Sequence, residues 1–207
     1  MLLFPAFLKL ARRRCLVVGG GRVAAEKIDG LLRTGAEVCV VAPSATRRIR
    51  AWARAGTIRW EARRFRSSDL AGVFLIVAAT SSPALHTQIY KQAKRQGVLC
   101  NVVDDPENCD FYYGALVRRG SLQIAISTGG LSPALAQRLR KRLEKEFGSE
   151  YEEWLKEIGA ARQQFLAKPV STKRQKALLH DLASETSLNE FLQRSKAKPS
   201  KSDGPGC

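Results

Sequence analysis

Residues 15–24 read CLVVGGGRVA, an apolar run that meets three consecutive glycines. The apolar run predicts a buried strand, and the glycines match the pattern G-x-G-x-x-G/A, which turns a strand into a helix in nucleotide-binding folds. Gly19 can make the tight turn, Gly21 lets the backbone approach a pyrophosphate, and Ala24 lets the helix lie close to the strand. The alternative is a glycine-rich loop without a ligand. The residues expected to contact the cofactor here are Gly19, Gly20, Gly21, Arg22 and Val23.

A second strand is expected at Val38–Ala42, after a helix that ends near Gly35. Two strands joined by a helix within about thirty residues form a βαβ unit, the context in which the glycine pattern is informative. An acidic residue often follows the second strand and binds the ribose hydroxyls, but Ala42, Pro43 and Ser44 stand there. We expect these three residues to contact the cofactor instead.

Three arginines follow this strand, at positions 47, 48 and 50. They favour the 2′-phosphate of NADP if they face the cofactor, and they are ordinary solvated residues if they form a helix face. We expect NAD as the cofactor, and NADP stays open.

Three further segments are predicted to be strands, at Thr57–Ala62, Val73–Ala79 and Val98–Val103. The last two are continuous apolar runs, which are typical of parallel strands buried on both faces. A helix is expected between them at Pro83–Gln96, with Pro83 in its first turn. The alternation predicts an α/β fold with a Rossmann-like parallel sheet and a ligand at the carboxyl ends of its strands.

Those carboxyl ends bring Ala79, Thr80 and Asp104 to the edge of the sheet that carries the glycines. We expect Ala79 and Thr80 to contact the cofactor. The residues leave two interpretations of Asp104 open: a general base or substrate-orienting acid, or a turn-forming residue in the sequence Asp-Asp-Pro.

The pattern changes after Pro106, where Phe111–Val117 and Leu122–Ser127 are predicted to form a hairpin with Arg118–Ser121 as its turn. Residues 128–133 follow and read TGGLSP.

A helix is expected from Pro133 onward, with Ser132 as its N-cap. Hydroxyls, glycine N–H groups and a helix start in one place predict an anion site, and an ordinary strand-to-helix connection is the alternative. From Glu150 onward apolar residues recur at helical spacing, and the last residues are polar and rich in Pro and Gly.

We therefore predict four regions. They are a NAD-binding Rossmann-like domain at 1–110, a small α+β element at 111–147, a helical C-terminal region at 148–195 and a disordered tail at 196–207.

The 207 residues carry a formal net charge of +16, and 44% of them are hydrophobic. A packed core is therefore possible, and the surplus positive charge attracts anions. Nucleic acid and a small molecule with many carboxylates both fit this charge. The basic residues form no compact nucleic-acid-binding motif, so composition alone does not choose between the two.

The five cysteines lack C-x-x-C spacing and the chain has two histidines, which disfavours a disulfide framework and a metal site. Cys109, in a predicted loop, is the interior thiol that we single out as a candidate for reactivity. The apolar run at 1–8 is too short to span a bilayer, so we expect a cytoplasmic protein without a membrane partner.

Taken together, these motifs resemble the precorrin-2 dehydrogenases, which also occur as the N-terminal module of siroheme synthases. The pieces that carry the resemblance cover roughly residues 1–147 and are Phe4-Pro5, Phe7-Leu8, Cys15 to Ala24, Lys27, Gly35-Ala36, Val41 to Pro43, Ala78 to Thr80, Asn101 to Asp104, Ser127 to Gly130 and Ser132 to Ala136.

The resemblance implies NAD-dependent oxidation of precorrin-2 to sirohydrochlorin in siroheme biosynthesis. It implies a homodimer, with residues 111–147 as the dimerisation and substrate-binding element, and no nucleic-acid partner. Some members also insert ferrous iron, so iron stays open as a second substrate. The alternative is a non-catalytic nucleotide-sensing module with a basic surface for nucleic acid.

By the same resemblance Asp104 matches the key acid of the family and is the expected catalytic residue. The residues implied in substrate binding are Asn101, Ser127, Thr128, Gly129, Gly130 and Ser132. The chain departs from the family pattern at His86, where Asn is frequent, and at Gly114, where Pro is common. We expect His86 on a helix surface or beside the nucleotide, and a metal-binding or proton-transfer role is the alternative.

Overall fold

The computed structural model describes residues 2–166 and 172–197, and the chain divides into two compact units. The first unit is Phe4–Tyr113, and the second unit contains the residues from Gly114 onward. The division predicted from the sequence into four regions stays a prediction. Of the tail predicted at 196–207, the first two residues end the last helix and the others lie outside the described residues.

The first unit contains five strands and three helices, with two short 3-10 helices at Ser67–Leu70 and Pro106–Asn108. In chain order they are β1 (Arg14–Val18), α1 (Arg22–Leu32), β2 (Glu37–Val41), α2 (Arg47–Arg54), β3 (Arg59–Glu61), β4 (Leu75–Ala78), α3 (Pro83–Arg95) and β5 (Leu99–Val102).

The five strands form one parallel sheet in the order β3-β2-β1-β4-β5. Val18 at the end of β1 pairs with Val41 of β2 and with Ala78 of β4, so these strands end at the same level. The Rossmann-like sheet predicted from the apolar runs is confirmed.

Both faces of the sheet are covered, which explains why β4 is apolar and buried at every position and why β1 is buried after its first residue. On one face α1 and α2 pack through residues such as Ile28 and Ile49 onto Val17 and Val40. On the other face α3 packs through Ile89 onto the alternate strand residues. The sheet edge where the strands end is thereby fixed by two buried clusters.

The second unit begins with a two-stranded antiparallel sheet of β6 (Ala115–Arg119) and β7 (Leu122–Ile126). The sequence placed the first strand four residues earlier and made the turn four residues long, and both details are wrong. Arg119 pairs with Leu122, so the turn is Gly120 and Ser121 alone, and the positive φ of Gly120 (+54°) permits it. Residues 111–114 lie outside the strand because the carbonyl of Phe111 accepts a hydrogen bond from Asn101.

In the described part of this unit, four helices follow: α4 (Pro133–Glu146), α5 (Glu150–Leu166), α6 (Thr172–Leu182) and α7 (Glu185–Ala197). The predicted start of α4 is confirmed, because Pro133 is its first residue and the Ser132 hydroxyl accepts a hydrogen bond from the Leu135 N–H (3.2 Å). The helical character predicted from Glu150 onward is also confirmed.

Candidate active site

Gly19 places the glycine turn against the end of β4. Its φ of +125° is open to glycine, and a Cβ at this position would overlap the carbonyl oxygen of Ala79. Its N–H donates to the carbonyl of Val41 (3.1 Å), and the Ala79 N–H donates to the carbonyl of Val18 (2.8 Å). The first glycine therefore joins the ends of three neighbouring strands.

Gly20 joins the turn to the segment after β2. A Cβ on Gly20 would overlap the Ser44 carbonyl oxygen, and the Thr46 N–H donates to the Gly20 carbonyl (2.9 Å). Trp60, a residue that the sequence did not single out, donates its indole N–H to the Ala42 carbonyl (3.0 Å). The structure thus brings Ala42, Pro43 and Ser44 together with the glycine turn.

Gly21 is the N-cap of α1 and has no heavy atom within 4 Å of the position that a Cβ would take. The next two residues, Arg22 and Val23, are exposed. The first-turn N–H groups of α1 therefore face open space with a partial positive charge, which suits a phosphate. The turn at Gly19 and the open start of α1 at Gly21 thus have the geometry that the sequence indicated, and contact of these residues with a cofactor stays a prediction.

Two of the three arginines after β2 are held by the protein. Arg48 donates to the carboxylate of Asp29 (2.6 Å) and lies over the ring of Trp52, 4.6 Å from its centroid. Arg50 donates to the Ala45 carbonyl (2.8 Å). These contacts favour the helix-face interpretation for both residues, while Arg47 is exposed at the first position of α2.

His86 lies in the first turns of α3, where its side chain is buried. Its Nε2 atom is 2.9 Å from the carbonyl oxygen of Thr80, in the connection between β4 and α3. The histidine therefore contacts the turn after β4 and is not on the helix surface, so that expectation is wrong, and a position beside the nucleotide stays a prediction. Ala79 and Thr80 lie at the same sheet edge as the glycines.

Asp104 follows β5 and has an exposed side chain. Its φ of +61° lies in the left-handed region, which Asp tolerates better than most residues. The preceding Val103 N–H donates to the Ala78 carbonyl (2.9 Å), so Asp104 is the first residue after the last hydrogen bond between β4 and the β5 segment. The carboxylate is thus presented to solvent at the edge that carries the glycine turn.

A residue that contacts the substrate needs an accessible side chain, and Asn101 does not have one. Its side chain is buried, and its amide donates to the Phe111 carbonyl (2.8 Å). Cys109 supports the same loop, since its thiol lies 3.1 Å from the Val102 carbonyl oxygen and burial raises its pKa. Both side chains hold the segment after β5, and a substrate contact by Asn101 stays a prediction.

Two further side chains reach this site, and sequence reasoning gave neither a role. Lys27 of α1 places its Nζ atom 3.8 Å from the centroid of the Tyr113 ring. Burial lowers the pKa of Lys27, while the negative charges of Glu26 and Asp104 raise it. The family resemblance, which includes Lys27, was the one feature of the sequence that could have singled this residue out. Tyr113 had no signal, because its position depends on the loop held by Asn101.

In the second unit, hydroxyls and glycines shape the connection from β7 to α4. The Gly129 N–H donates to the Ser127 hydroxyl (3.2 Å) and the Ser132 N–H donates to the Thr128 hydroxyl (3.2 Å). Gly129 and Gly130 have φ values of +61° and +83°. The predicted cluster therefore exists as a compact turn at the N-terminus of α4, and its binding of an anion stays a prediction.

No group of three His, Cys, Asp or Glu side chains in residues 2–166 and 172–197 is arranged to hold a metal ion. Within the same residues, none of the helices is both long enough and apolar enough to cross a bilayer.

Two sequence-family models match the chain. The family described as "Putative NAD(P)-binding" covers residues 6–115, and the family described as "Sirohaem biosynthesis protein central" covers residues 119–146. The first match contains the glycine turn, Lys27, Asp104 and Tyr113.

Siroheme synthases of several bacteria are similar to this chain in sequence over about two thirds of its length. Siroheme synthase 1 of Serratia proteamaculans is 42% identical over 140 residues, which are 68% of this chain and 29% of that protein. Siroheme synthase of Methylococcus capsulatus is 45% identical over 140 residues, which are 68% of this chain and 30% of that protein. The chain thus spans less than a third of the length of these relatives.

A solved structure described as SirC, precorrin-2 dehydrogenase, superposes with a TM-score of 0.76 at 30% sequence identity. The superposition covers 95% of this chain and all of that one. The likeness therefore extends over both units.

Proposed function

The chain belongs to the family of precorrin-2 dehydrogenases and siroheme synthases, and we propose from this that it oxidises precorrin-2 to sirohydrochlorin with NAD. The observation that supports the proposal is an exposed acid, Asp104, at the sheet edge that also carries the glycine turn, which matches the dinucleotide-binding pattern. One compact unit then holds both the cofactor-binding backbone and a group that can take a proton.

The cofactor would be held by the glycine turn and its neighbours. The N–H groups at the start of α1 suit the pyrophosphate, and Ala79 and Thr80 line the end of β4 beside them. NAD, when bound, supplies the acceptor for a hydride. The protein's contribution is to hold the carbon that loses the hydride against the nicotinamide and to exclude other orientations.

Oxidation of precorrin-2 removes one hydride and one proton from the tetrapyrrole. We assign the proton to Asp104, whose carboxylate is exposed and follows the last strand of the sheet. A carboxylate here can also accept hydrogen bonds from pyrrole N–H groups and so orient the ring system. Both functions need the charged form of Asp104 at the edge of the site.

The turn from Ser127 to Ser132 is the proposed binding element for substrate carboxylates in the second unit. Its backbone N–H groups and hydroxyls are at the start of a helix of fourteen residues, where an anion is stabilised. A polycarboxylate substrate also accounts for part of the charge of +16. Thr128→Ala is therefore expected to raise the KM for precorrin-2 more than it lowers kcat.

We also propose a homodimer. The sheet of β6 and β7 has two strands, so each strand leaves one edge without a strand partner in the described part of the chain. Nearby Leu131 and Leu135 expose 92% and 48% of their surface. A second copy that pairs with this edge would cover such groups. Light scattering of the purified protein tests this proposal.

A cytoplasmic location belongs to the same proposal, and the four cysteines among the described residues are free thiols, which fits such a compartment. Ferrous iron as a second substrate rests on the family alone.

The test is an anaerobic assay of the purified protein with freshly generated precorrin-2 and NAD, in which the absorbance of sirohydrochlorin is followed. NAD-dependent formation of sirohydrochlorin supports the proposed function. Binding of NADH without any turnover of precorrin-2 would contradict it. Ferrous ion is then added, and a rate of metal insertion above the spontaneous rate would establish iron as a substrate.

A further inference from the structure

Lys27 lies in the second turn of α1, one turn beyond the N–H groups that suit a phosphate. Its side chain is half-buried and reaches Tyr113, which follows the 3-10 helix after β5. Lys27 therefore reaches the segment after β5, and it lies near enough to Asp104, in the same segment, for the charge of that residue to act on it.

The ring that receives Lys27 is itself fixed. Asn101 holds the backbone of Phe111, and the Phe111 ring meets the Tyr113 ring edge to face at a centroid distance of 5.6 Å. The Lys27 ammonium lies 3.8 Å from the centroid of the Tyr113 ring, within the range of a cation–π interaction. The position of the ammonium is thus set before a ligand arrives.

Lys27 is also a cation without a carboxylate partner. Within residues 2–166 and 172–197, no Asp or Glu oxygen lies within ion-pair distance of Lys27 Nζ. Asp104 is near enough for its charge to act on Lys27, but the two form no ion pair. A half-buried cation of this kind retains unused N–H donors.

We propose that Lys27 binds one carboxylate of the tetrapyrrole and so places the reacting carbon beside Asp104. This assignment rests on the proposed function and adds a specific substrate contact to it. An ammonium held on an aromatic ring loses little freedom when it binds a carboxylate, and partial burial strengthens the charge-assisted hydrogen bond. The cofactor phosphates are the alternative ligand, which the contact of Lys27 Nζ with the Tyr113 ring disfavours.

The experiment compares Lys27→Met, which keeps the length of the side chain without its charge, with Lys27→Arg, which keeps the charge. Lys91→Met on the exposed face of α3 is the matched control for loss of one positive charge. Three quantities are measured: the Kd for NADH by fluorescence, the Kd for sirohydrochlorin by absorbance titration, and the KM for precorrin-2. Equal melting temperatures show that each variant is folded.

We expect Lys27→Met to weaken sirohydrochlorin binding and raise the KM for precorrin-2 by about tenfold to a hundredfold, the usual range for a lost hydrogen bond to a charged group. The Kd for NADH stays within about twofold, Lys27→Arg recovers most of the lost affinity, and Lys91→Met matches the parent protein.

Unchanged sirohydrochlorin affinity in Lys27→Met would overturn the assignment. A weakened NADH affinity with unchanged sirohydrochlorin affinity would overturn it as well, because it would place Lys27 on the cofactor. Failure of the proposed function would give a different result: the parent protein would bind sirohydrochlorin and NADH but would not oxidise precorrin-2. The titration then still decides the role of Lys27, and a parent protein that does not bind sirohydrochlorin overturns both.

Discussion

The two units differ in how their apolar residues are used. Among the described residues, the first unit holds every buried apolar side chain except Val117 and Ala136. Its sheet is covered on both faces by α1, α2 and α3, whereas the hairpin of β6 and β7 has alternating half-buried and exposed residues along β7. The first unit therefore has the packing of a complete domain core, and the second unit has far less.

This difference matches the tasks that we assign to the two units. A catalytic group needs a fixed position, and Asp104 lies two residues after β5, whose last three residues are buried. A turn that binds flexible carboxylates can be more exposed, and Ser127 to Ser132 form such a turn. We therefore propose that the packed unit carries the group that takes the proton, and that the exposed turn of the second unit binds carboxylates.

The sharpest way to break this comparison is to remove the carboxylate that we place on the packed unit. Asp104→Asn is expected to lower kcat by about 10²- to 10⁴-fold, the range for loss of a general base. The Kd for NADH is expected to stay near that of the parent protein, since the glycine turn is untouched. Steady-state kinetics under anaerobic conditions and NADH titration measure both.

Ser132→Ala in the second unit is the companion variant, and its main expected effect is a higher KM for precorrin-2. If Asp104→Asn kept a kcat near that of the parent protein, the assignment of the chemistry to the first unit would be wrong.

The second prediction tests the packing itself. Ile76 of β4 is fully buried, so Ile76→Ala is expected to lower the free energy of unfolding by about 2–5 kcal/mol through lost burial and a cavity. Ile124 of β7 is half-buried, and Ile124→Ala is expected to cost less than about 1.5 kcal/mol. Urea unfolding of both variants measures the difference. Equal losses at the two positions would mean that a second copy or another partner covers Ile124 in solution.

The sequence predicted the first unit well for a physical reason. Its strands are buried on both faces, so they appear as continuous apolar runs, and the conformation of Gly19 follows from local steric rules. Information of this kind lies within a few neighbouring residues. The order of the strands then follows from the βαβ connections.

What the sequence did not predict depends on contacts between distant residues. The strand expected from Phe111 begins at Ala115 because the side chain of Asn101 holds the Phe111 carbonyl. The same loop brings Tyr113 to Lys27, and the hydrophobic periodicity of neither segment predicts that contact. Such long-range polar contacts override local propensity.

The third prediction sharpens the role of the glycine turn. Both Gly19 and Gly56 have a positive φ, which alanine adopts only with strain. In Gly19→Ala the new Cβ also overlaps the Ala79 carbonyl oxygen, whereas in Gly56→Ala it meets no atom within 4 Å. We expect a loss of about 2–3 kcal/mol of stability for Gly19→Ala and about 1 kcal/mol for Gly56→Ala. Gly19→Ala should also weaken NADH binding, which fluorescence titration measures, and Gly56→Ala should not. An equal effect on NADH binding by both would mean that overall stability, not the turn, governs affinity.

The smallest expected effect is a pH dependence of stability that comes from the first unit alone. The described cysteines all lie in the first unit, and burial raises the pKa of Cys15 to about 11 and that of Cys100 to about 12, from 9.0. A raised pKa means that the folded state keeps a proton which the unfolded state has released, so these thiols stabilise the fold below about pH 9 and this contribution is lost as the pH rises toward 11–12. Urea midpoints at pH 8 and pH 10 should show a loss for the parent protein and a smaller loss for Cys100→Ala. The same pH dependence in both proteins would assign the alkaline loss to other groups, such as Tyr151 of the second unit, whose pKa burial also raises.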